Sequence, residues 1–120
     1  MALKIHVETQ ETTARVALDG RLDTVTAPEL EQAMEAQLSP EVDTLILDLK
    51  DLSFVSSAGL RIFAKLRKLM KSREGNIYFA SLQPQVKKVL DIVKAVPLNA
   101  VFASIEELDN YLENMQNSAS

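Results

Sequence analysis

The chain has 120 residues, 47% of them hydrophobic and 25% charged, which is typical of one globular domain with one core. It has no cysteine and one histidine, His6, which excludes disulfides, thiolate catalysis and metal sites built from several cysteines or histidines. A net charge of -4 and an aromatic content of 5% disfavour a nucleic-acid partner, because phosphates require a basic surface and bases require stacking rings.

The amino terminus, "MALKIHVETQ", lacks the apolar core of a signal peptide, and no run approaches the length of a membrane span. We therefore expect a cytoplasmic protein without a membrane partner.

Two alternating segments open the chain. In "LKIHVET" and again in "TARVALDG", apolar and polar residues alternate as in half-buried strands, and Gly20 is expected to end the second one. The polar stretch between them predicts a hairpin loop, so the first two strands should be antiparallel.

A helix should follow, because Thr26 and Glu29 have the spacing of a capping box and Pro28 falls in the first turn. Its apolar residues recur at helical spacing: Leu30, Met34 and Leu38.

The rest of the chain alternates between strands and helices. "TLILDL" is typical of a strand buried on both faces. "SSAGLRIFAKLRKLMKSREG" predicts a helix with Leu60, Phe63, Leu66 or Arg67, and Met70 inward and Gly75 as its C-cap. "NIYFAS", "PQVKKVLDIVKAV", "AVFAS" and "SIEELDNYLENM" predict a strand, a helix, a strand and a helix, with fraying from about residue 116. The order predicts an α/β fold: one domain over residues 1–120, with a mixed sheet of about five strands and about four helices.

The junction Ser56-Ser57-Ala58-Gly59 lies where a strand should end and a helix should begin. Ligands usually bind at that end of an open α/β sheet, and a helix amino terminus stabilises a phosphate. The plainer interpretation is a serine N-cap, which is common in any protein. On the local pattern alone both interpretations stay open.

Four aspartates stand at predicted strand ends or in a loop: Asp19, Asp23, Asp48 and Asp51. An aspartate after a strand can accept a phosphate or bind magnesium, but a solvated strand end is the commoner case. Asp23 precedes a helix and could instead satisfy backbone N–H groups of its loop.

The second predicted helix carries many basic residues and no acid. Arg61, Lys65 and Lys68 share one side of it, which indicates either a solvated face or a stripe that docks an acidic partner. No phosphate-binding glycine loop and no Ser–His pair is evident, so we expect neither an enzyme nor a cofactor.

Two motifs in the order and at the distance expected of one family carry a resemblance. "GRLDTVT", from Gly20 to Thr26, and "DLKDLSFVSSAGLRIF" resemble the motifs of anti-sigma factor antagonists and of the wider STAS domain. The resemblance runs from about Val7 to Leu112, nearly the whole chain.

The resemblance implies that a partner kinase phosphorylates the serine after the motif's acid, which is Ser57 here. The acid position holds Ser56, the expected cap, and the second hydroxyl position holds Ala58; both depart from the family's pattern. The residues expected to contact the partner are Asp23, Ser56, Ala58, Gly59, Leu60, Arg61, Lys65 and Lys68.

The implied function is partner switching. The unphosphorylated protein, a monomer when free, would bind an anti-sigma factor that is also a serine kinase, and a serine phosphatase would reset it. Two alternatives remain. One is a phospho-aspartate receiver domain, although this sequence lacks the acidic pair that such a domain has after its first strand. The other is a STAS module without a switch, such as a subunit of a lipid-transport complex or a nucleotide sensor.

Overall fold

Five strands form one sheet whose spatial order follows the chain, β1-β2-β3-β4-β5. The computed structural model describes residues 3–93 and 101–102, and the side chains of residues 3–88. The strands are β1 Lys4–Gln10, β2 Thr13–Leu22, β3 Thr44–Val55, β4 Asn76–Ala80 and β5 Val101–Phe102, and the helices are α1 Ala27–Gln37, α2 Ser57–Ser72 and α3 Pro84–Val93.

The predicted fold class is confirmed. β1 and β2 form the antiparallel hairpin, and β2, β3, β4 and β5 pair in parallel. The apolar run "TLILDL" begins the central strand β3, which pairs on both sides. The predicted fourth helix and the frayed tail lie outside the described residues.

The core lies between the sheet and the helices. Leu45, Leu47 and Leu49 of β3 are buried, and the rings of Phe63 and Phe79 join α2 to β4 edge to face, with their centroids 5.4 Å apart. Burial of such side chains is the main favourable contribution to folding.

The inner face of α2 differs slightly from the predicted one. Ile62, Phe63, Leu66 and Met70 are buried, whereas Leu60 is only half-buried. Gly59 occupies the inward position in the first turn, so Leu60 lies at the edge of the buried face.

Both strands that lead to the serine junction are longer than predicted. β2 does not end at Gly20 but continues to Leu22, with register shifts against β3 between Ala17 and Asp19 and between Gly20 and Arg21. Gly20 has a φ of 123°, which a residue with a side chain rarely adopts. The extension sets Leu22 beside Val55, so the loop after β2 and the start of α2 leave the sheet side by side.

The turn after α2 corrects the prediction that Gly75 is the C-cap, because the C-cap is Arg73. Glu74 has the positive φ of 57°, and the N–H of Gly75 donates to the carbonyl of Met70 at 2.8 Å. Gly75 is required for a different reason: a Cβ there would lie 2.0 Å from the carbonyl oxygen of Asp43. The turn therefore packs directly on the backbone before β3.

We expect Gly75→Ala to lower the free energy of unfolding by about 1–3 kcal/mol, since the backbone must move to admit the methyl group. Glu74→Gly should instead raise it by up to about 1 kcal/mol, because it removes the strain of a left-handed residue. Urea denaturation measures the free energy of unfolding of both variants. A higher value for Gly75→Ala and a lower one for Glu74→Gly would contradict this description of the turn.

Candidate phosphorylation site and partner surface

The two serines at the start of α2 have different roles. Ser56 has an extended backbone, and its hydroxyl accepts the N–H of Gly59 at 3.4 Å while its carbonyl accepts the N–H of Leu60 at 2.9 Å. Ser57 is the first helical residue and is exposed. The prediction that Ser56 caps the helix is confirmed, and the neighbouring side chain is the one open to solvent.

Gly59 packs inside the chain at this junction. It is buried, and a Cβ there would come within 2.7 Å of Leu22 and 2.8 Å of Val55 side-chain atoms. Its lack of a side chain lets α2 approach the ends of β2 and β3 closely. Ala58 and Leu60 are half-buried and pack against the core at the same junction.

The loop after β2 is held by Asp23 and Thr26. The Asp23 carboxylate accepts the backbone N–H groups of Val25 and Thr26, both at 3.0 Å. The Thr26 hydroxyl donates to the carbonyl of Arg21 at 2.7 Å and accepts the N–H of Asp23 at 2.9 Å. Asp23 therefore satisfies backbone N–H groups of its loop, which is one of the roles that the sequence suggests for it.

The predicted capping box of α1 is wrong. Thr26 is at the N-cap, but its side chain makes no capping hydrogen bond, and its backbone is already in the helical region. Because Thr26 is buried with its hydroxyl directed back to β2, it fastens the loop and not the helix.

One backbone hydrogen bond joins this loop to the serine junction. The N–H of Ser56 donates to the carbonyl of Leu22 at 2.8 Å. Asp23 directly follows Leu22 in the chain, and Ser57 directly follows Ser56. The structure therefore brings the two sequence motifs together at one edge of the sheet.

Two exposed apolar side chains at this edge were missed from the sequence. Val25, at the tip of the loop, is 79% exposed, and Phe54 is 37% exposed beneath the Arg21 guanidinium, whose carbon lies 4.2 Å from the ring centroid. The sequence indicates the exposure of Val25 only through its position among polar residues in a loop, where an apolar side chain is not expected to reach the core.

The basic residues of α2 do not form one uniform stripe. Arg61, Lys65 and Lys68 are exposed, but Lys65 forms an ion pair with Glu31 of α1. The pKa of Lys65 is raised, mainly by its hydrogen bond to the Glu31 carboxylate and also by the negative charges of Glu31 and Glu35. The helix α2 carries no acid of its own, and the neighbouring helix supplies the counter-charge of Lys65.

The other acids give no sign of a metal centre. Asp19 and Asp51 are exposed, while Asp48 lies 3.7 Å from Arg15 and accepts the N–H of Lys50 at 3.2 Å. Within the part of the chain that the structure describes, no three potential ligands cluster as a metal would require, and no helix is long and apolar enough to cross a bilayer. His6 is exposed and lies 3.1 Å from Glu8.

Comparison with known proteins decides the family, because the family model of the STAS domain matches residues 4–108. The chain belongs to the STAS domain family. BtrV, a candidate anti-sigma factor antagonist of Bordetella bronchiseptica, is 32% identical over 75 residues, which are 62% of this chain and 65% of that relative, slightly less than two thirds of its length.

The anti-sigma-B factor antagonist of Staphylococcus aureus is 25% identical over 92 residues, 77% of this chain and 85% of that protein. Among solved structures, unphosphorylated SpoIIAA, an anti-sigma factor antagonist, superposes with a TM-score of 0.79 at 19% identity, over 92% of this chain and 97% of that one. This likeness shows that the two proteins share a fold.

We expect Thr26→Val to lower the free energy of unfolding of this STAS domain by about 1–3 kcal/mol, because the carbonyl of Arg21 and the N–H of Asp23 lose a buried partner. Thr26→Ser keeps the hydroxyl and should lose less. Denaturant melts of both variants measure the difference, and equal losses would contradict the role of the hydroxyl.

The pKa of Asp23 lies below its ordinary value, chiefly because its carboxylate accepts the backbone N–H of Thr26. A lowered pKa in the folded state stabilises the fold above the unfolded-state pKa of about 3.9, and this contribution is lost as the pH falls through the folded-state value. In a carboxyl-carbon NMR titration, the pKa of Asp23 should therefore lie below that of an ordinary aspartate, and Asp23→Asn should reduce the loss of stability in acid. A midpoint at or above the ordinary value would contradict the network.

Proposed function

We propose that this protein is an anti-sigma factor antagonist that acts by partner switching in the cytoplasm. Its unphosphorylated form, a monomer when free, binds an anti-sigma factor that is also a serine kinase and so frees a sigma factor. Phosphorylation of Ser57 reverses the binding, and a serine phosphatase resets the cycle. The protein is a substrate and a binding partner in this scheme, not a catalyst.

The position of Ser57 carries the proposal. It is exposed at the first residue of α2, while the adjacent Ser56 hydroxyl is occupied by the N–H of Gly59. A kinase that reaches this junction therefore meets Ser57 as the more exposed of the two serines, beside the loop that Asp23 holds. The relatives named as anti-sigma factor antagonists supply the class of partner.

The two departures from the family's pattern are compatible with this switch. Serine caps a helix about as well as aspartate, so Ser56 can begin α2 without the acid. It also leaves the junction with one negative charge fewer, which reduces the repulsion that a phosphate on Ser57 would meet. Ala58 packs against the core at a half-buried position, where a second hydroxyl is not needed for the fold.

The phosphate would change the surface mainly through its charge. It adds about -1.5 to -2 charges at neutral pH to the edge of the sheet that also exposes Val25 and Phe54. Burying that charge against a partner costs several kcal/mol unless a basic group compensates it. Arg61 is exposed one helical turn after Ser57, at a spacing that allows it to hold the phosphate on this chain.

The test is phosphorylation of the purified chain by its cognate anti-sigma factor kinase with ATP, followed by intact mass and peptide mapping. We expect one phosphate on Ser57, none in Ser57→Ala, and an unchanged yield in Ser56→Asn, which keeps a capping side chain without adding a charge. Ser57→Ala should bind the kinase like the wild type, and Ser57→Asp should bind it more weakly because the added charge lies in the interface.

Phosphate on Ser56 would shift the assigned position by one residue and contradict the proposal. If no kinase modifies the chain and Ser57→Asp binds as tightly as the wild type, the switch is absent. The STAS module without a serine switch, a scaffold or a ligand sensor, then becomes the better description.

A further inference from the structure

A groove runs between α1 and α2 and does not include Ser57. Its volume is about 720 Å³, and its floor is apolar. The apolar lining residues are Met34, Leu38, Ile62, Leu66 and Leu69. Leu69 is 36% exposed, whereas the other four side chains are buried, so the groove is open to solvent mainly over Leu69. We call it the α1–α2 groove.

Polar contacts join the two sides of the groove at both of its ends. Lys65 pairs with Glu31 at one end, and at the other the Arg73 guanidinium donates to the carbonyls of Ser39 and Val42, at 2.8 and 2.9 Å. Glu31–Lys65 and Ser39–Arg73 are both 34 residues apart in sequence, so the helices run in the same direction. From Lys65 to Arg73 the helix rises about 12 Å, roughly two turns.

The two rims of the groove carry opposite charges. Glu31 and Glu35 stand on the α1 side, and Lys65 and Lys68 stand on the α2 side. Within the described part of the chain Lys65 is matched by Glu31, whereas no ion pair engages Lys68. A segment lying in the groove would therefore meet an acidic rim on one side and a basic rim on the other.

We propose that the α1–α2 groove binds an amphipathic helix of a partner protein, with basic residues on its α1 side and acidic residues on its α2 side. The two-turn length fits apolar side chains at positions i, i+3 or i+4, and i+7, the spacing by which helices bind in apolar grooves. The rim charges fix the direction and register of that helix, and they select against a helix with the reverse pattern. This surface acts independently of the Ser57 switch.

The experiment uses two synthetic helical peptides of about 15 residues with the same composition and the same apolar stripe. One carries lysines and glutamates on the matching flanks, and the other has the flanks exchanged. Affinity by fluorescence anisotropy should favour the matching peptide by about tenfold, because two exposed ion pairs are replaced by two repulsive ones. Amide shifts of the full chain should map to the groove.

Variants of the protein make the test specific. Leu69→Asp should weaken binding at least about tenfold, since it places a charge in the exposed apolar floor. The double variant Glu35→Lys with Lys68→Glu should reverse the preference between the two peptides. Arg61→Glu, which lies on the same helix outside the groove, and Ser57→Asp should leave both affinities unchanged.

Equal affinity for the two peptides, or shifts that map elsewhere, would overturn the proposal. So would groove shifts that depend on protein concentration without peptide, together with dimers in sedimentation, because the occupant would then be a second copy of the chain. A loss of binding in Ser57→Asp would also overturn the independence of the two surfaces, whereas failure of phosphorylation alone concerns only the switch.

Discussion

The close approach of α2 to the ends of β2 and β3 is the constraint on which the candidate site depends. Gly59 leaves no room for a side chain between the helix and Leu22 or Val55, and the N–H of Ser56 donates to the carbonyl of Leu22. These contacts join two motifs that lie in different parts of the sequence. The glycine of the motif is therefore explained by packing inside this chain, before any partner is considered.

Much of the fold could be predicted because strong periodicities specify it. The alternation in the first two strands and the apolar run of β3 gave the hairpin and the central strand, and the helical spacing of Leu30 and Met34 gave α1. The candidate site was less accessible to such reasoning. The motif located Ser57, and residue type indicated a cap at Ser56, but only the structure shows that the two hydroxyls differ in exposure.

The errors share a physical cause, since each depends on a contact between segments distant in sequence. Thr26 has the spacing of a capping box, yet its hydroxyl bonds to the carbonyl of Arg21 because the strand extends past Gly20. Gly75 resembles a C-cap, yet it is needed where the turn meets Asp43. Lys65 appears unmatched on its own helix, and its counter-charge lies on α1. Local pattern cannot reveal such partners.

The hydrogen-bonded loop that presents Val25 has a consequence for the kinetics of recognition. Four hydrogen bonds within the loop and to β2 hold its backbone before any other molecule arrives. Binding of a partner at this edge would therefore order little additional main chain and lose little conformational entropy. The rate of complex formation on this edge would then depend on diffusion and orientation, without a slow folding step.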